Sequence, residues 1–275
     1  MNGLEGITED LLERGCISAE DARVAQKYYS REGEMRKKAQ KFIADKKLTC
    51  PDPGERLAVT LCAAEIARVR YAERGISDSI FYDTMSDIGV WTADCRRTGS
   101  LVNGLDNTAW LAHHVRLELF KLGRLQFQPI KRPVILNMGL ACIWKMRKLP
   151  DICLNVHIPR GGRLDEGACK ASFYAAPLFF EKYFGKKYTV CTCLSWLLYP
   201  DNKLFMKENS NILKFASMFE ITGKRKFNPD AMQYIFGSKT PDFQKIVPST
   251  SLQKSALEYY NSGGSFGLGF GIKNL

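Results

Sequence analysis

His157 is the histidine best placed for proton transfer in this 275-residue chain. It falls near the end of an alternating run, Ile152–Ile158, in which Leu154, Val156 and Ile158 face one way and Cys153, Asn155 and His157 the other. A neutral imidazole at the C-terminal end of a strand can act as a general base, and ligands of α/β domains bind at that edge. The same ring can equally be held by a neighbouring backbone group. Asn155 shares its face and could hold substrate. The turn Pro159-Arg160-Gly161-Gly162-Arg163 follows, leading from the strand into a helix. Backbone N–H groups of such a turn, with a helix N-terminus behind them, can receive phosphate, and two arginines add charge. Asp165 and Glu166 oppose an anion there, and a Gly-Gly turn is also ordinary punctuation. Neither a Walker loop nor a G-x-G-x-x-G fingerprint is present.

Ser195 sits in Cys193-Leu194-Ser195-Trp196, without the G-x-S-x-G context of a hydrolase nucleophile. It reads as a strand-borne hydroxyl, and Trp196 as core or pocket wall. His113 and His114 are adjacent on a helix and cannot share one face, so solvent or cap roles are expected. Trp91 and Trp110 read as packing anchors.

The elements that position these groups change character along the chain. The first half is helical. Ser18 is a candidate N-cap for a helix running from Ala19 toward Lys47 with a break near Gly33. Val59, Cys62, Ile66 and Val69 form one stripe between Glu55 and Arg74, with Gly75 as its stop. A helix over Ser77–Trp91, a turn-rich stretch at Thr98–Asn107 and a helix from Asn107 to Leu122 follow. Beyond Gly123 the texture turns mixed. The spacing predicts a short strand at Arg124–Ile130 and leaves residues 133–149 open between strand and helix. It then predicts the strand at Ile152–Ile158, a helix from Asp165 to Gly185 kinked at Pro177, and a buried strand at Tyr188–Tyr199. Asn209 or Ser210 caps a further helix, Met232–Phe236 reads as a strand, Ser251–Tyr260 as a helix and Phe266–Ile272 as a glycine-rich final strand.

Composition bounds the partners. No apolar run is long enough to span a membrane, and the opening Met1–Asp10 lacks the pattern of a secretory signal, so a cytoplasmic protein without membrane contact is expected. The nine cysteines are irregularly spaced, with only Cys191 and Cys193 close together. They are expected to be buried reduced thiols, with no metal site. A net charge of +11 favours anionic partners. The densest basic run, Arg31–Lys47, reads as a solvated helix face. It carries no nucleic-acid-binding signature, so nucleic acid is not expected. Nothing in the sequence gives an oligomeric state.

Several strings together resemble one family. Trp110-Leu111, Leu119 through Phe127, Val156-His157-Ile158-Pro159-Arg160-Gly161-Gly162, Ser195-Trp196-Leu197-Leu198 and Ser210 through Phe215 resemble stretches of certain bacterial acyltransferases. In those proteins a GNAT-like C-terminal domain follows a helical N-terminal domain. The resemblance is good over residues 85–220. It implies an α+β or α/β fold: a helical domain over 1–122 that caps or shapes the acceptor site, then a GNAT-like mixed-sheet acyltransferase domain over 123–275. The pantetheine of the cofactor, acetyl-CoA or another acyl-CoA, would lie in a splay between Ile152–Ile158 and Tyr188–Tyr199. Ile158, Arg160, Gly161, Gly162, Arg163 and Asn211 would meet the cofactor. The implied reaction is direct N-acyl transfer to a small-molecule or peptide amine. His157 would take the amine proton, and a backbone N–H of the first of those strands would receive the developing charge. Ser195 and Tyr199 join His157 as catalytic candidates, with Asn155 and Trp196 toward substrate. The sequence departs from the family pattern twice. Neither Arg160 nor Arg163 begins a clean R/Q-x-x-G-x-G/A loop, and the place of the usual tyrosine acid holds Met218 and Phe219, which leaves Tyr199 as a stand-in. These departures keep a second reading open: a catalytically inactive GNAT-like binding module that contacts an anionic partner through its basic surface.

Overall fold

Cap chemistry sets where the helices begin. The computed structural model describes residues 3–98, 103–106, 108–133 and 138–275. The chain divides into two compact units, Met1–Gln126 with Pro159–Gly161, and Phe127–Ile158 with Gly162–Leu275. In the first, α1 (Gly3–Glu13) precedes α2 (Ala19–Gln26). Ser18 starts α2 as expected: its hydroxyl accepts from the Asp21 N–H, and the Asp21 carboxylate accepts from the Ser18 N–H at 2.9 Å. This reciprocal pair satisfies two donors that the helix start would leave open. A short 3-10 turn, Tyr29–Arg31, separates α2 from α3 (Glu32–Asp45), so the break falls just before Gly33. On α3, Met35, Ala39, Phe42 and Ile43 are buried while Lys37 and Lys41 are exposed, which is the solvated basic face the composition suggested.

α4 (Pro53–Glu73) is the centre of this unit. The Asp52 carboxylate accepts from the Gly54 N–H at 2.7 Å, and Pro53 occupies a first-turn position where no donor is needed. Small residues on several sides, among them Ala58, Cys62, Ala64 and Ala67, let α1, α2 and α3 approach closely around it. The helix expected over residues 77–91 is instead two, α5 (Asp78–Met85) and α6 (Asp87–Thr98). They part at Ser86, whose hydroxyl donates to the Asp83 carbonyl at 2.6 Å. Within the turn-rich stretch that follows, residues 99–102 and 107 lie outside the described residues. The helix expected from Asn107 to Leu122 is also corrected. Only α7 (Leu111–Val115) is α-helical. Leu117 takes a left-handed φ of 60°, and Phe120–Leu122 forms β1 with an alternating buried–intermediate–buried pattern. Leu119 and Leu122 matched a helical spacing, but Phe120 and Leu122 about Lys121 match a strand equally well, and the sheet decides.

β2 (Leu125–Lys131) carries the chain into the second unit, followed by α8 (Leu140–Arg147), β3 (Ile152–His157), α9 (Glu166–Phe184) and β4 (Val190–Ser195). The buried strand expected over Tyr188–Tyr199 is shorter, because Ser195 caps a 3-10 turn at Trp196–Leu198. Then come α10 (Asn211–Ala216), β5 (Glu220–Lys226), α11 (Pro229–Phe236), α12 (Ser251–Asn261) and β6 (Gly267–Asn274). Met232–Phe236 is therefore helix, not strand. Asn228 caps it by accepting from the Ala231 N–H at 3.0 Å, and Ala231 and Ile235 face inward at a spacing of four. Pro177 lies inside α9 without ending it. The six strands order β1-β2-β3-β4-β6-β5. β3 runs parallel to β4, as a helical crossover through α9 requires, whereas β6 is antiparallel to both β4 and β5.

β6 contains Gly269 and Gly271 where Leu198 of the Trp196–Leu198 turn lies against it, and Gly267 where the Arg225 carbonyl and the Tyr199 ring do. A methyl group at Gly269 would land on the Leu198 carbonyl. Gly269→Ala is expected to cost about 1–3 kcal/mol, as overpacking generally does. A lowered chemical-denaturation midpoint would bear this out, and an unchanged one would show that the turn gives way freely.

Candidate active site

The strand C-termini of β3 and β4 carry the site. The parallel ladder pairs Leu154 with Cys191 and Asn155 with Thr192, and among the described residues no further pair continues it. β3 runs on to His157 and β4 to Ser195, so both strands extend beyond their last paired residues. β4 stays fully laddered to β6 on its other side as far as Ser195↔Gly269, which keeps it in place.

Alternation puts Asn155 and His157 on one face of β3, level with Thr192 and Leu194 on β4. A polar row runs across that face. The Thr192 hydroxyl lies 3.5 Å from Asn155 Oδ1, Asn155 Nδ2 is 3.0 Å from His157 Nε2, and the same nitrogen is 3.0 Å from Gln128 Oε1 on β2. His157 is half-buried, so its ring is supported yet reachable. Leu194, 42% exposed, is an apolar side chain on the same face. The opposite face, to which Phe127 of β2 belongs, meets Phe173 of α9. It carries Cys191 and Cys193. Burial pushes the Cys193 thiol up to about 12 and the Cys191 thiol higher, so neither supplies a thiolate at neutral pH.

The sequence reading found His157 and Asn155 but missed Gln128 and Thr192. In β2 the run Leu125-Gln126-Phe127-Gln128 alternates apolar and amide side chains, and that was the available signal.

Of the other candidates, Ser195 is half-buried, and its hydroxyl accepts from the Leu197 N–H at 3.2 Å, capping the 3-10 turn. Trp196 stacks on Tyr234 with ring centroids 6.0 Å apart and packs against the cluster around Phe266. Tyr199 is buried, its ring against Gly267. Burial, with the Asp201 carboxylate adding to it, pushes its phenol up to about 12. Asn211 is the first residue of α10, behind the Ser210 cap.

The glycine turn behaves differently from its sequence. Arg160 forms an ion pair with Asp94 of α6, a carboxylate that also holds Arg97 at 2.8 Å. Asp165 caps α9 by accepting from the Ala168 N–H at 2.8 Å, so one donor of that helix start is already used. Gly161 has φ of +93°, a conformation that side-chain-bearing residues rarely adopt.

A second polar cluster lies within the first unit, and it corrects the reading of His114. That ring is fully buried. Its Nε2 lies 3.0 Å from Asp87 Oδ2, and its Nδ1 lies 3.2 Å from the Trp110 carbonyl. The indole N–H groups of Trp110 and Trp91 donate to the same Asp87 oxygen at 2.9 and 3.3 Å. The two tryptophans are thus hydrogen-bonding anchors as well as packing ones. His113, by contrast, faces Glu118 at 2.9 Å and is partly exposed. All nine cysteines are free and buried, and no metal-binding group of His, Cys, Asp and Glu occurs among the described residues. No described helix is long and apolar enough to cross a membrane.

Comparison with known proteins decides the family. Residues 7–117 match the N-acyltransferase N-terminal domain, and residues 119–273 match the GNAT-like C-terminal domain. The chain belongs to this family of N-acyltransferases. The resemblance drawn from the sequence strings is therefore correct, and so is the fold class. Among curated proteins no sequence matches. Solved structures of an acyltransferase do. The chain is similar to an acyltransferase in complex with decanoyl-CoA and teicoplanin, with a TM-score of 0.78 and 22% identity over 98% of this chain and 87% of that one. A mutant acyltransferase in complex with octanoyl-CoA, and an acyltransferase in complex with CoA and 10C-teicoplanin, each match with a TM-score of 0.77 at the same identity and coverage. At this identity the similarity speaks for the fold of the N-acyltransferase chain.

Proposed function

We propose that this N-acyltransferase moves an acyl group from an acyl-CoA thioester to an amine of a small molecule or peptide, with His157 as general base. The observation that carries the reading is the ending of the β3–β4 ladder at Asn155↔Thr192, short of the C-terminal ends of both strands, where an extended ligand would lie. The thioester supplies the activated acyl group. His157 takes the proton from the amine as it attacks, and a backbone N–H of the β3 end receives the charge that develops on the carbonyl oxygen. Leu194, exposed across the opening from His157, offers an apolar wall to the acyl chain or the acceptor. Arg160, Gly161, Gly162 and Arg163 would meet the phosphates. The decanoyl-CoA, octanoyl-CoA and teicoplanin in complex with the similar acyltransferases support an acyl-CoA donor and a second molecule as acceptor.

Two observations favour the second reading, a binding module without turnover: Arg160 is engaged by Asp94, and Asp165 occupies the mouth of α9. Calorimetric titration with CoA and decanoyl-CoA separates the two. The enzyme reading expects binding of both, and absence of binding at millimolar ligand would overturn it. Asp94→Asn, which removes the carboxylate that pairs with Arg160, is expected to tighten CoA about tenfold, or roughly 1.4 kcal/mol. Unchanged affinity in that variant would remove Arg160 from the phosphate site.

A further inference from the structure

α8 buries one face and exposes another that is both apolar and basic. Met138, Cys142, Met146 and Leu149 join the buried cluster with Cys153, Val190, Phe270 and Ile272. On the outer side, one turn apart, Leu140 is 86% exposed and Trp144 is 58% exposed. A turn further on, the Lys148 ammonium lies 3.3 Å from the centroid of the Trp144 ring, and Arg147 beside it is exposed. α8 lies along β5 and runs opposite to it. Lys145 pairs with Glu220, the Thr222 hydroxyl donates to Cys142 Sγ, and the open side of Gly223 faces the Met138 carbonyl. β5 is an edge strand, and Lys224, Arg225 and Lys226, which complete it, are exposed. Phe227 follows, 78% exposed and with a left-handed φ of 57°. That conformation is costly for a bulky side chain, and here burial of the ring does not offset it.

We propose that this strip, the outer face of α8 with the end of β5, docks on a membrane surface that carries anionic lipids. Charge selects the partner. Residues 140–148 and 220–226 hold six cations and one carboxylate, Glu220. Of the acids on adjoining segments, Asp201 pairs with Lys224 at 3.1 Å and Asp151 pairs with Arg132. A second copy of the same face would meet it with like charge, which disfavours a symmetric dimer. The apolar side chains favour lipid over a polyanion in water. Leucine, tryptophan and phenylalanine set among cations can each enter the headgroup region singly, without a matching pocket. An indole with an ammonium over its face suits that depth, where the ring is buried and the charge stays wet. Attachment of this kind needs no spanning helix, and it stands independently of the acyl-transfer reading.

The full chain is mixed with vesicles of phosphatidylcholine alone, or of phosphatidylcholine and phosphatidylglycerol in equal parts, and the bound fraction is read by flotation. Binding to the anionic vesicles is expected to be tighter by about tenfold or more, and to weaken as salt screens the charge. Trp144→Ser and Phe227→Asn are each expected to weaken it about tenfold. Asparagine tolerates the left-handed conformation at that position, so the fold is kept. Arg225→Glu with Lys226→Glu is expected to abolish the preference for anionic vesicles. Lys37→Glu with Lys41→Glu, an equal change of charge on the exposed face of α3, is expected to leave binding within about twofold. Equal losses in the two charge-reversed pairs would overturn the proposal, because net charge alone would then account for binding. Absent binding, or equal binding to neutral and anionic vesicles, would overturn it as well. Binding indifferent to both apolar variants would do the same and assign the strip to a polyanion or an acidic protein. A dimer that dissociates in Trp144→Ser, with no vesicle binding, would give the face to a second copy instead.

Discussion

His157→Ala is expected to lower acyl transfer by about 10²–10⁴-fold, the range of a positioned general base, while acyl-CoA binding stays intact. The separation of the two effects follows from the geometry. The ring of His157 is held by amide side chains on β2 and β3, whereas the pairing of β3 with β4 involves backbone groups of Leu154, Asn155, Cys191 and Thr192. Truncating the imidazole removes the proton acceptor and leaves that backbone in place. Thiol release from octanoyl-CoA or decanoyl-CoA, screened against amines, amino acids and peptides, reads the first effect, and calorimetry reads the second. Added imidazole is expected to restore part of the rate. Full turnover in the variant would take His157 out of the base role. Lost CoA binding would instead make the residue part of the binding surface.

Asp87→Ala is expected to cost the protein more than 3 kcal/mol, in the range seen when one partner of a buried pair is removed. A single carboxylate oxygen of Asp87 receives the indole N–H groups of Trp91 and Trp110 and lies 3.0 Å from His114 Nε2. Without it, buried donors lose their acceptor, and each such loss is worth about 1–3 kcal/mol. The sign of the pH dependence follows from the same contacts. Burial pushes the Asp87 carboxyl upward, but the hydrogen bond from His114, with those from Trp110 and Gln126, outweighs it and holds the group below its ordinary value. A carboxyl depressed on folding adds stability above its unfolded value of about 3.9, and that stability is lost as pH falls through the folded value. The stability gap between the unaltered protein and Asp87→Ala is therefore expected to be full at pH 7 and to shrink in acid. Denaturation followed by tryptophan fluorescence measures it, since Trp91 and Trp110 report from the cluster itself. A gap that stays constant down to pH 3 would contradict this assignment. Asp87→Asn, which keeps one acceptor oxygen, is expected to lose less.

The two clusters show where the reading of residues succeeds and where it stops. Asn155 and His157 were legible because alternation acts over two residues, and both lie on one strand. Gln128 is 29 residues from His157, and nothing local to either says that β2 lies beside β3. Separation in sequence likewise hid Asp94 from Arg160, 66 residues apart, and Asp87 from His114. The glycine turn invited a phosphate reading because its arginines and backbone donors were visible, while the carboxylate already holding Arg160 was not.

Local rules also erred where two periods overlapped. Residues 107–122 satisfy a helical spacing, yet the chain leaves the helix at Leu117 and enters the sheet as β1. Met232–Phe236 is rich in residues that suit a strand, but the Asn228 cap and Pro229 start a helix that buries Ala231 and Ile235. In both cases the tertiary partner selects between conformations of similar intrinsic preference.

By itself the sequence determined what depends on a few neighbouring residues: the capped starts of α2, α4 and α9, the two faces of β3, and the order of a helical half before a mixed half. Motif spacing determined the family as well. Only the tertiary structure decided which side chains meet, where the β3–β4 ladder ends, and which histidine is enclosed and which is reachable. The physical reason is range. Cap hydrogen bonds and side-chain periodicity act within about one turn of helix or one pleat of strand. Strand order, and with it the partners of His157, is settled by the burial of whole faces across the sheet.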